Sequence, residues 1–107
     1  MKTPKNFLGK WRIVETELWD RDALDTMVPA HVTFGTHGGR FEMICVVGDM
    51  DCRFEGPRVA FSWTGNDEMD AASGRGWGKI GNDGKLRGRI YFHQGDDPSF
   101  VARRAKP

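Results

Sequence analysis

The chain has no long apolar run, almost no net charge and only two cysteines, and each shortage removes a class of function. No stretch of its 107 residues approaches the length of a membrane-spanning helix. The opening Met1–Asn6 has no apolar run of signal-peptide length. A soluble, cytoplasmic protein with no membrane partner is therefore expected. The 16 basic and 15 acidic residues leave a formal charge of +1, with no global pull towards nucleic acid, and none is expected as a partner. Cys45 and Cys52 are wrongly spaced for a zinc site and have no ligand cluster around them, so no metal is expected. Gly74-Arg-Gly-Trp-Gly78 lacks the following helix that a phosphate loop needs, and no cofactor is expected. Ser73 opposite His93, and His93 beside Asp96 and Asp97, lack an orienting group, a nucleophile or an oxyanion feature. The chain reads as a binder more than as an enzyme, with acid–base chemistry by His93, Asp96 and Asp97 at the mouth as the third-ranked alternative.

What is abundant is glycine, 14 residues, much of it in turn dipeptides, which favours strands over helices. Alternation then sets a register. A turn at Gly48-Asp49 pairs Val47 with Met50, Cys45 with Cys52 and Met43 with Phe54 on one apolar face. A turn at Gly56-Pro57 pairs Phe54 with Val59, Cys52 with Phe61 and Met50 with Trp63 on that same face. A three-residue loop at Asn82-Asp83-Gly84 pairs Ile80 with Leu86, Gly78 with Gly88, Gly76 with Ile90 and Gly74 with Phe92. The opposite face then matches Trp77 with Arg89, Arg75 with Tyr91 and Ser73 with His93. A glycine row on an inner face saves the volume that a narrow barrel lacks. The facing cysteines read as small buried residues, or as a cross-strand disulfide if geometry permits.

Taken in order, residues 1–6 form a polar, frayed arm and residues 7–17 a strand. Asp20 caps one or two helical turns over 21–26, ended by Pro29. Strands follow at 30–34, 40–47, 50–55, 58–64, 73–80, 85–93 and 99–104, with an acidic loop at 65–72. The expectation is one domain over residues 1–107: all-β, an eight-stranded antiparallel up-and-down barrel with one short helix after the first strand.

Up-and-down order sorts the loops to two ends. Glu17, Asp20, Asp22, Asp25, Asp49, Asp51, Asp67, Glu68, Asp70, Asp96 and Asp97 gather at one mouth. Lys2, Lys5, Lys10, Arg40, Arg58, Lys85, Arg104 and Lys106 gather at the other end. Such a dipole can steer ligands, though Asp also favours solvated turns.

Phe7-Leu8-Gly9-Lys10-Trp11 resembles the Gly-x-Trp signature that opens the first strand of calycin-type barrels: the lipocalins, fatty-acid-binding proteins and avidins. The resemblance implies a Trp that plugs one barrel end beneath a basic residue late in the last strand, here Arg103 or Arg104. The later lipocalin Thr-Asp-Tyr motif and the avidin biotin-contacting pattern are absent. The resemblance also implies a small-molecule ligand at the acidic mouth, with Trp19, Met50, Trp63, Arg75 and His93 as ligand-binding candidates and an inner cavity lined by Met43, Met50, Phe61, Trp63, Ile90 and Phe92. The alternative is an interaction or structural module working through its outer surface, including as a homodimer. The Trp77–Tyr91 patch is then the contact. Trp77 among Arg75, Lys79 and Arg89 reads either as a cross-strand cation–π stack or as a nucleic-acid stacking surface.

Overall fold

In the computed structural model, residues 2–105 are described; Met1 of the arm and Lys106 of the basic end lie outside them. The strands are β1 (Gly9–Thr16), β2 (His31–Gly35), β3 (Gly38–Met43), β4 (Val46–Glu55), β5 (Arg58–Asp67), β6 (Asp70–Ile80), β7 (Leu86–Phe92) and β8 (Ser99–Arg104). Each pairs antiparallel with the next and β8 pairs with β1, so the sheet closes as an eight-stranded up-and-down barrel. Between β1 and β2 lies the short helix α1 (Arg21–Leu24). It is capped as the sequence predicts, the Ala23 N–H donating to Asp20 Oδ1 at 2.9 Å. It stops two residues earlier than expected.

Two of the three expected hairpins have the expected register. Cys52 faces Phe61 and Met50 faces Trp63 across β4–β5, and Gly76 faces Ile90 across β6–β7. The third is wrong. The β3–β4 turn is Ile44-Cys45, not Gly48-Asp49, and Met43 pairs with Val46. Val46 is therefore buried while Cys45 sits in the turn, and Cys45 never faces Cys52. Both cysteines are free. The physical reason is that Gly48 serves packing, not turning. It lies on the inner face, where a Cβ would come within 2.4 Å of the Phe41 ring and 2.9 Å of the Trp63 ring. The real turn places Ile44 at φ 56°, a region a β-branched residue rarely enters. Two backbone bonds hold it: Ile44 N–H to the Leu24 carbonyl at 2.8 Å, and Glu68 N–H to the Cys45 carbonyl at 3.0 Å.

The expected acidic loop at 65–72 is also mostly strand. β5 and β6 run on to a two-residue turn at Glu68-Met69. Gly65 permits this, because a Cβ there would sit 1.8 Å from the Val47 carbonyl oxygen. Backbones also approach too closely for a Cβ at Gly74, under Tyr91, and at Gly88, under Trp77. Such glycines let a narrow barrel coil tightly.

Both ends are plugged. The arm is not frayed: Thr3 is buried and its N–H donates to the Thr36 carbonyl. Phe7 is fully buried against Phe34 and Phe54, with ring centroids 5.4 and 5.0 Å away. The Trp11 indole N–H donates to the Phe7 carbonyl at 3.0 Å. The Arg104 guanidinium lies 4.3 Å from the Trp11 ring centroid and donates to the carbonyls of Asn6 and Leu8. Arg104, not Arg103, thus takes the place the Gly-x-Trp resemblance implied. At the other end Leu24 is buried in the core. The segment carrying it is held by Asp25, which accepts from Arg12 and from the Ala30 N–H.

Gly48→Ala tests the register directly. It should cost about 1–3 kcal/mol, as overpacking a close-packed core does, measured by urea unfolding. An unaltered midpoint would show that the Phe41 and Trp63 rings do not pack against this position.

Candidate functional site

Among the described residues the lumen shows no ligand-sized cavity. A void of about 10 Å³ remains among Val32, Phe34, Phe41, Met50, Val59, Phe61, Leu86, Ile90 and Phe100. That is no more than one water needs, and its walls offer that water no polar partner. The expected cavity is overturned because ring-bearing side chains from β3, β5 and β7 meet inside the barrel. Phe41 and Trp63 make an edge contact at 5.0 Å, and Trp63 and Phe92 another at 5.3 Å.

Concave surface lies instead on the wall near the mouth. A groove of about 600 Å³ runs over β5, β6 and β7, lined by Ser62, Trp63, Thr64, Ser73, Gly74, Arg75, Tyr91, Phe92 and His93. Strand alternation explains its mixture. Ser62, Thr64, Ser73, Arg75 and Tyr91 point outward, while Trp63, Gly74 and Phe92 belong to the inner face. Trp63 donates its indole N–H to the Tyr91 carbonyl at 3.1 Å, and the missing Cβ of Gly74 leaves room for that bond. Arg75 lies over the Tyr91 ring at 5.6 Å, and no carboxylate among the described residues pairs with it. His93 is exposed and joined to Ser73 through its backbone N–H only.

The structure divides the predicted site residues. Trp63, Arg75 and His93 come together in this groove. Trp19 lines a second groove, of about 390 Å³, between β1 and β8 with Glu15, Glu17, Asp20 and Ser99. It touches the first only through Phe92, edge-on at 6.5 Å. Met50 is buried on the inner face opposite Trp63. Of the groove residues outside the predicted set, Phe92 is expected inside the barrel and Tyr91 in the outer patch. Gly74 and Tyr91 follow from the β6–β7 register, whereas Ser62 and Thr64 meet Arg75 and Ser73 through the β5–β6 register that the expected loop at 65–72 hides.

The acidic mouth is smaller than its sequence suggested. Asp49 and Asp51 lie on the outer wall of β4, facing Arg40 and Arg53 at 3.2 and 2.7 Å. Asp20 caps α1 and Asp25 holds Arg12. Glu17 accepts from Arg89 and from the Ser99 N–H, each at 2.9 Å. Asp22, Asp67, Glu68, Asp70 and Asp96 remain as an open rim. Among the described residues no cluster of His, Cys, Asp and Glu could hold a metal ion. No helix is long and apolar enough to cross a membrane among them. No protein-family model matches the chain, and no curated protein matches it.

The two thiols differ. Burial, with Asp51 nearby, pushes the Cys52 thiol up to about 11. Partial burial and the Glu68 carboxylate also raise Cys45, which lies at the surface. At pH 8 a thiol reagent should modify Cys45 well before Cys52, with Cys52 reacting on unfolding. Because the folded value of Cys52 is raised, its contribution to stability is complete below pH 9 and is lost as pH climbs towards 11. Equal labelling rates in the native protein would show that Cys52 does not face the core.

Proposed function

We propose that this protein is a non-catalytic binder of a small ligand, seated in the wall groove of Trp63, Ser73, Arg75, Tyr91 and His93 beside the acidic rim. The observation that carries the reading is Arg75: a guanidinium stacked on a phenol, without a carboxylate partner, in a concavity of ligand size. An oriented, unneutralised arginine is suited to a carboxylate or phosphate group. Hydroxyls from Ser62, Thr64 and Ser73 offer orienting hydrogen bonds. The open rim carboxylates favour a cationic end, so the fitting class is a small zwitterion. Trp19 borders the entrance through Phe92, and Met50 backs Trp63 from inside. Kinship with calycin-type barrels and a cytoplasmic location belong to the same proposal. Gly9-Lys10-Trp11 at the start of β1 and Arg104 over Trp11 support the kinship.

Native mass spectrometry of protein purified from cells tests the proposal. A bound mass released on denaturation, and missing from the Arg75→Ala, His93→Ala variant, is the expected result. The bare chain mass in the unaltered protein would overturn it.

A second reading rests on apolar side chains on the mouth loops. Met69 is 98% exposed, Met27 70% and Leu18 48%. A homodimer or protein partner would cover them, making the chain an interaction module. Sedimentation equilibrium should then show association that Met27→Ser with Met69→Ser abolishes. A monomer at high concentration would remove the homodimer.

A further inference from the structure

The outer faces of β5, β6 and β7 form rows set by their register. Arg58, Lys79 and Arg87 make one row. Ala60, Trp77 and Arg89 make the next, then Ser62, Arg75 and Tyr91. No carboxylate stands on these three strands in the rows; the nearest, Glu55 of β4, is the cross-strand neighbour of Arg58 and lines one edge of the wall without an ion pair to it. Arg87 is paired with Asp83 from the adjoining turn, and Arg89 with Glu17 and Asp97. Arg58, Arg75 and Lys79 have no carboxylate partner among the described residues. Arg58 lies 5.5 Å from the Trp77 ring centroid. Depressions of about 290 and 580 Å³ flank Trp77 on its two sides.

We propose that this wall binds single-stranded nucleic acid, with Trp77 as the stacking platform and Arg58 and Lys79 as phosphate contacts. The inference goes beyond the small-ligand groove, and its centre lies outside that groove. A near-neutral chain can carry such a surface because the barrel sorts its charge by face. The outward positions of three neighbouring strands keep cations, rings and small residues, and the one bordering acid is Glu55 on β4. Backbone phosphates meet the unpaired cations, and unstacked bases meet the rings. Tyr91 stands diagonally across the β6–β7 pair from Trp77, about 7–8 Å away, a step that neighbouring bases of an extended strand can span. Arg58 need not block the ring. An exposed cation–π contact is weaker than base stacking, so the guanidinium can yield the ring face and turn to a phosphate. The wall also lacks a helix or ribbon projecting far enough to enter a duplex groove. Pairing two copies through this wall would set unpaired cations against unpaired cations, which disfavours the Trp77–Tyr91 patch as a dimer contact.

Fluorescence anisotropy with a labelled oligothymidine of about fifteen nucleotides in about 50 mM salt tests this. Binding should weaken steeply as salt rises. Arg58→Glu with Lys79→Glu should weaken it by roughly tenfold or more. Trp77→Ala should weaken it by about fivefold or more, while Trp77→Phe retains most of it. Heparin, a polyanion without bases, should bind without sensitivity to Trp77→Ala. Thermal melts of each variant establish that it is folded. No oligothymidine binding in low salt would overturn the proposal. So would a poly-glutamate peptide that binds more tightly than the oligonucleotide, which would assign the wall to an acidic protein. Equal effects of Trp77→Ala on heparin and oligothymidine would remove stacking and overturn it too.

Discussion

Trp63 can lie across the barrel because glycines stand where side chains would otherwise meet it. Gly48 on β4 leaves space for its ring and that of Phe41, and Gly74 on β6 leaves space for its indole nitrogen. In return the indole fills the lumen near the mouth, touches Phe41 and Phe92 edge-on, and satisfies its N–H on the Tyr91 carbonyl. Edge-on pairs of this kind add about 0.5–1.5 kcal/mol each beyond the area they bury. An eight-stranded barrel is only wide enough for side chains to fill it, so one large ring across the axis leaves little space for anything else. The same ring backs the groove on the wall, and core packing and surface shape are thereby fixed by one residue.

This constraint also explains which parts of the fold were legible in the sequence. The β4–β5 and β6–β7 hairpins turn at Gly56-Pro57 and Asn82-Asp83-Gly84, where turn chemistry and apolar alternation agree, and both registers are as read. At β3–β4 the two signals part. Gly48-Asp49 has turn composition, yet Gly48 is needed to admit two rings that become its neighbours only after the barrel closes. Ile44-Cys45 has no turn composition, yet tertiary bonds to Leu24 and Glu68 impose the turn there. A glycine required by packing and a glycine required by a turn look alike in one dimension. The site was partly legible for the same reason. Arg75 and His93 share a face through the β6–β7 register that was right, and Trp63 joins them through a β5–β6 register hidden by the expected loop at 65–72. The hollow interior assumed for Met50 depended on a volume that alternation alone cannot measure.

Charge follows a similar logic. Carboxylates counted at the mouth in the sequence turn out to do local work: Asp20 caps a helix, Asp25 anchors the segment over the barrel end, and Glu17 ties β8 to the mouth. The Arg12–Asp25 pair is about one-quarter exposed, at 24% and 22%. Pairs near the surface contribute about 1 kcal/mol or less, so its role is to fix the loop's position more than to supply stability. The dipole read from sequence is correspondingly diluted at the mouth. A different segregation takes its place, running around the barrel rather than along it.

A filled lumen moves the search for function from the axis to the wall. On the wall, strand alternation makes side chains from three neighbouring strands adjacent although they are separated by 13 to 29 residues in the chain, as Ser62, Arg75 and Tyr91 are. Rigidity comes from the strands themselves, so an arginine stacked on a ring there is positioned before any ligand arrives. Arg75 over Tyr91 and Arg58 over Trp77 are two such pairs on one face, one within the groove near the mouth and one between two depressions lower down. The first has concavity and hydroxyls around it; the second has further cations and open surface. That difference in surroundings, rather than in the pairs themselves, is the ground for proposing a compact ligand at one and an extended polyanion at the other.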